Sequence, residues 1–150
     1  MTTTVANPTH PAVATSALRA AREMRGEALF TIADGLIDPI DVARDAMTPE
    51  GEPLRRISLR QLLLAQPGWG EARTDELIRR LHAFCEITEP PRRLSIRWLI
   101  DPRVSGRRLV AFCDLLDEGR AAVARGGEVD VVPWAGYPFT PMPTEGTVRP

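Results

Sequence analysis

Stretches of helical periodicity alternate along this chain with glycine- and proline-rich breaks. Between residues 16 and 33, Leu18, Ala21, Met24, Ala28 and Ile32 recur at the spacing of one helix face, and Gly35 stands where that helix ends. Asp38-Pro39-Ile40-Asp41 is a helix start: a capping carboxylate, proline at the first helical position, an acid in the first turn. It predicts a short helix to about Met47, before a loop marked by Pro49, Gly51 and Pro53. Ser58 caps the next helix, with Leu59, Leu62 and Leu63 on one face, and Pro67-Gly68-Trp69-Gly70 breaks it. A helix from about Glu71 to Phe84 follows, with Leu77, Ile78, Leu81 and Phe84 inward, and Pro90-Pro91 stops any continuation. Ser95 to Ile100 fits a short helical turn. Leu109, Phe112, Cys113 and Leu116 predict a last helix from Ser105 to Gly126-Gly127. Val129 to Val132 can extend as a strand, and five prolines in the last 18 residues mark a tail. The expected fold is all-α: a flexible arm over residues 1–15, a compact helical domain over 16–126, and an acidic, proline-rich tail over 127–150.

Composition sharpens this picture. The 150 residues are 43% hydrophobic but only 5% aromatic, so the core must be aliphatic. No apolar run approaches the roughly 18 residues that span a membrane. Met1 to Ala14 has neither the charged start nor the apolar block of a signal peptide, so the expected compartment is the cytoplasm. Cys85 and Cys113, in apolar company and 28 positions apart, read as small buried hydrophobes. With only His10 and His82 beside them, no metal site is expected. Every one of the 19 basic residues is arginine. The absence of lysine removes Schiff-base chemistry through a side chain, and no catalytic group stands out. The expectation is a non-enzyme with no cofactor and no small-molecule substrate.

The net charge of −1 hides a pattern. From Arg55 to Arg108 there are twelve arginines against six acids, whereas the flanks on both sides are net acidic. Within that basic middle, a helix ends at Pro67-Gly68-Trp69-Gly70 and a second helix starts at once. Gly68 and Gly70 let the backbone turn tightly and approach another surface without a side chain between. The free N–H groups and positive dipole end of the second helix form an anion site there, with Arg73, Arg79 and Arg80 following. A plain helix–helix corner is the alternative reading of the same turn. Pro90-Pro-Arg-Arg-Leu-Ser-Ile-Arg97 presents Arg92, Arg93 and Arg97 from a stiff loop, as a phosphate-binding cluster or as a solvated one. Arg19, Arg22 and Arg25 form a weaker basic row on the first helix, interleaved with Glu23 and Glu27.

From about Leu18 to Leu116 the chain resembles the actinobacterial integration host factors. The resemblance rests on the N-terminal helix, on Ile57-Ser-Leu-Arg-Gln-Leu-Leu-Leu-Ala-Gln-Pro-Gly-Trp-Gly-Glu-Ala-Arg73, and on Arg92-Arg93 after Ile87-Thr-Glu. It implies a helix-two-turn-helix domain, related to the helix-hairpin-helix, in a nucleoid-associated protein that binds and bends duplex DNA with little sequence preference. It also implies an accessory role in site-specific recombination, with a phage integrase as candidate partner. Gly68, Trp69, Gly70 and Arg73 would then hold a phosphate strand, Arg92 and Arg93 would lie along or enter a groove, and Arg19 and Arg22 would make a second contact. The chain departs from that family in its near-neutral charge, its lack of lysine, Glu71 where the family tends to place lysine, an extra stretch over 98–108, and the acidic tail. Those departures suit a divergent or phage-encoded member. A protein-interaction adaptor on the same fold is the competing expectation, suggested by the neutral charge and by Val132-Pro-Trp-Ala-Gly-Tyr-Pro-Phe139. A DNA-repair glycosylase, which would share the hairpin, lacks a side-chain amine nucleophile here.

Overall fold

A computed structural model describes residues 11–86, 88 and 94–125. It contains six α-helices: α1 (Pro11–Ala33), α2 (Pro39–Asp45), α3 (Leu59–Leu64), α4 (Glu71–Phe84), α5 (Ile96–Leu99) and α6 (Arg107–Ala124). Among the described residues two 3-10 turns, Glu52–Arg56 and Pro102–Val104, join them. Among the described residues there is no strand, only an isolated antiparallel bridge between Ser58 and Ser95. The all-α expectation holds. The possible strand at Val129–Val132 lies outside the described residues.

The local signals act as chemistry dictates. Asp38 caps α2 by accepting from the Ile40 N–H at 2.8 Å, while Asp41 reaches back to the Asp38 N–H. Ser58 and Gln61 form the same reciprocal box at the start of α3. α3 and α4 then meet through the short hairpin and pack on each other, and α6 lies along α4. The core is a single, mainly aliphatic cluster that includes Leu59, Leu62 and Leu63 of α3, Leu77, Ile78 and Leu81 of α4, and Leu116 of α6, with two aromatic members, Trp69 and Phe112. Ile96 and Leu99 of the four-residue α5 are also fully buried, although nothing in their spacing singles them out. The backbone bonds Leu59 N–H to Leu94 O (2.9 Å) and Ile96 N–H to Ile57 O (3.0 Å) clamp that segment to the start of α3.

Four expectations are corrected. α1 starts at Pro11, so residues 11–15 are helix rather than arm. Proline at a helix start has no N–H to lose, so it opens this helix instead of breaking the chain there. Of the predicted inner face of α1, only Ile32 is buried; Leu18 is 54% exposed and Met24 is exposed as well. A helix of 23 residues is about 34 Å long, more than this small core can cover. The end of α1 packs on the Glu52–Arg56 turn and α3, and the rest extends beyond them. Phe84, expected inward, is 71% exposed at the last position of α4. Cys85 and Cys113 are free thiols, half-buried rather than fully buried. Burial pushes both upward from the ordinary thiol range; Arg108 and Arg107 pull Cys85 partly back, and Asp117 and Asp114 push Cys113 further.

Candidate nucleic-acid interface

The hairpin is the part of the surface where backbone rather than side chain is offered. Gly68 takes φ +76°, the left-handed region that favours glycine. Gly70 is the N-cap of α4, and a Cβ placed on it meets nothing within 4 Å. Both glycines are exposed, while Leu62, Leu63, Ile78 and Leu81 are buried beneath. No side chain caps α4. Its leading N–H groups, which have no partner within the helix, therefore sit at an uncovered, partially positive helix end.

Trp69 stands between those glycines but turns inward. It is 8% exposed, and its ring lies on α6 where Gly119 leaves room; a Cβ there would fall 2.5 Å from the indole. Arg73 sits 5.9 Å from the centre of that ring and donates from Nη1 to the Gly119 carbonyl at 3.1 Å. Trp69 and Arg73 therefore anchor the hairpin to α6, and they place the glycines. Gly68, Trp69, Gly70 and Arg73 share one groove between α4 and α6.

Charges along α4 are largely matched. Arg79 donates twice to Glu76, at 2.7 and 3.0 Å, and those hydrogen bonds hold the Glu76 carboxyl below its usual range. Arg80 pairs with Glu118 of α6 at 2.7 Å. Arg60, on α3, bonds Asp75 and lies 3.7 Å from Glu71, whose side chain is 80% exposed beside the hairpin. Sequence reasoning missed Arg60. Its position opposite Leu59, Leu62 and Leu63 marks it as solvent-facing, but only the α3–α4 packing brings it to the hairpin acids.

The remaining predicted contacts lie apart from the hairpin. Arg97 is exposed on α5, 3.5 Å from Glu52, in a separate recess with Arg55 and Arg103. Arg19 and Arg22 are exposed on the projecting part of α1 and make no ion pair among the described residues. Arg92 and Arg93 lie outside the described residues. Beyond Arg97, α6 starts at a glycine in the left-handed region, Gly106, with Arg107 and Arg108 in its first turn. Arg108 is turned to Trp98, stacking at 4.3 Å and donating to its carbonyl at 3.0 Å.

Among the described residues no group of His, Cys, Asp and Glu has the arrangement to hold a metal ion, and no helix is long and apolar enough to cross a membrane. Comparison with known protein families, curated proteins and solved structures finds no match for this chain.

Proposed function

We propose that the protein binds duplex DNA without enzymatic activity and with little sequence preference, bending it as a nucleoid-associated or integrase-accessory factor. The observation that carries this reading is the exposed backbone from Gly68 to the start of α4, a 14-residue helix with no side-chain cap and open space at Gly70. Such a helix end suits a phosphate oxygen, and phosphate contacts carry no sequence information. Arg60, freed from the hairpin acids, would add charge to that contact, and Arg92, Arg93 and Arg97 would extend it along the duplex. The pairing of Arg79, Arg80 and Arg60 with acids favours a second reading, a protein-interaction adaptor, because matched charges attract little polyanion.

Binding of the full chain to several unrelated duplexes, measured by anisotropy at two salt concentrations, separates the two. Equal affinities that fall steeply with salt are expected. No binding at low salt would overturn the DNA reading and leave the adaptor.

A further inference from the structure

The groove between α4 and α6 has a volume of about 830 Å³, within the range of sites that bind a ligand or peptide. Its floor is apolar, formed by Trp69, Leu77 and Leu115, with Ala121 and Ala122 along one wall. Arg73, Arg80 and Arg125 stand around it with Glu76 and Glu118. Arg80 is paired with Glu118 and Arg73 is bonded to the Gly119 carbonyl, which leaves Arg125 as the cation at the rim with no acid against it among the described residues. Arg125 is also the last described residue, so the chain leaves the described structure at the rim of the groove.

Residues 126–150 follow, and their chemistry matches what the groove lacks. Trp134, Tyr137 and Phe139 lie within six residues, in a chain with only eight aromatic residues altogether. Rings of that size each bury about 150–250 Å² when they find an apolar surface. Pro133 and Pro138 interleave them; proline restricts a chain's freedom before it binds, which lowers the entropy lost on docking. Glu128 and Asp130 precede the rings and carry the charge opposite to that of Arg125. Reach is sufficient. Eight residues lie between Arg125 and Trp134, a reach of up to about 30 Å for an extended chain, whereas the stretch of α6 from Leu115 to Arg125 is about 15 Å long. Gly126-Gly127 directly after α6 is the residue pair best able to reverse the chain at a helix end.

We propose that the C-terminal segment of the same chain, residues 128–139, docks into the α4–α6 groove, with the rings of Trp134, Tyr137 and Phe139 on Trp69, Leu77 and Leu115 and with Glu128 and Asp130 near Arg125. This assignment does not depend on the duplex reading. Because Gly68, Gly70 and Arg73 line the same groove, the docked segment competes with an anion at the hairpin.

The test places a photo-reactive benzoylphenylalanine at position 134 of the full chain and maps the products of irradiation by mass spectrometry. A product of monomer mass, joined to peptides within 68–80 and 115–125, is expected. A companion chain carrying Ala121→Trp, an exposed position that fills the groove without touching the core, should keep its melting temperature and lose at least nine-tenths of that product. Cross-links scattered over other surfaces, or no cross-link at all, would overturn the proposal. So would a product of dimer mass on the groove peptides, which would give the groove to a second copy.

Discussion

Glu71 opens α4 with its side chain in solvent, 3.7 Å from Arg60. An acid there favours the helix by about 0.3–1 kcal/mol through the dipole, yet it occupies the mouth proposed for a phosphate. Glu71→Lys is therefore expected to lower the melting temperature slightly while tightening binding to random duplexes, with a steeper salt dependence; Glu71→Gln should fall between. Unchanged affinity in a folded Glu71→Lys protein would remove the hairpin from the DNA face. Two helical glycines make a second pair of opposite outcomes. Gly26 is exposed in α1 and a Cβ there meets nothing, so Gly26→Ala should stabilise by up to about 1 kcal/mol. At Gly119 the same change drives a methyl into the Trp69 ring, at 2.5 Å. That overpacking costs about 1–3 kcal/mol and outweighs the helix gain. Thermal unfolding of the two variants should move in opposite directions.

Among the elements, α1 is the one whose pattern and environment disagree. Its apolar positions repeat correctly, but residues 11–20 are all exposed, and only Ile32 is buried. An isolated helical stretch of that length is marginal in water, because nucleation is costly and tertiary packing supplies most helical stability. Hydrogen exchange at Ala12–Arg22 should be fast, through local opening, while Leu62–Leu64 and Leu77–Leu81 exchange only with global unfolding. Equal protection in both regions would show that α1 is covered in solution. The α3–hairpin–α4 unit is the reverse case. A capping box sets the start of α3, Gly68 permits the turn, and the leucines of both helices meet underneath, so every local preference agrees with the packing.

At the scale of the whole molecule, charge and burial set two further expectations. Reversing the charge of Arg92 and Arg93 should weaken binding to all duplexes about equally and reduce the salt slope by about one per lost contact. Unchanged affinity would place the binding face elsewhere. The two thiols supply a pH dependence. Both are raised in the folded protein, so between the unfolded value near 8.5 and the folded values the native state holds protons that the unfolded chain releases. Their contribution to stability is complete below about pH 8.5 and is lost as pH rises through the folded values. The melting temperature should therefore drop more between pH 8 and 10 than in the Cys85→Ala/Cys113→Ala protein.

The sequence by itself determined the helices and, apart from the start of α1, roughly where they end. Caps, proline and glycine act through bonds a few residues long, so Asp38, Ser58 and Gly70 stand at helix starts in the structure as their chemistry requires. It also marked the hairpin as exposed backbone over a leucine floor, because alternating faces of two adjacent helices are visible in spacing alone. Only the tertiary structure decided which periodic faces find a partner. Leu18 and Phe84 carry the right spacing and remain in solvent because the core ends before it reaches them, while Ile96 and Leu99 are buried by contacts from distant segments. The same holds for Trp69 and Arg73, set inward by a gap at Gly119, 46 residues beyond Arg73. Spacing along a chain records which side of a helix is apolar. What stands opposite that side depends on contacts between residues far apart in sequence, and these exist only once the helices have packed.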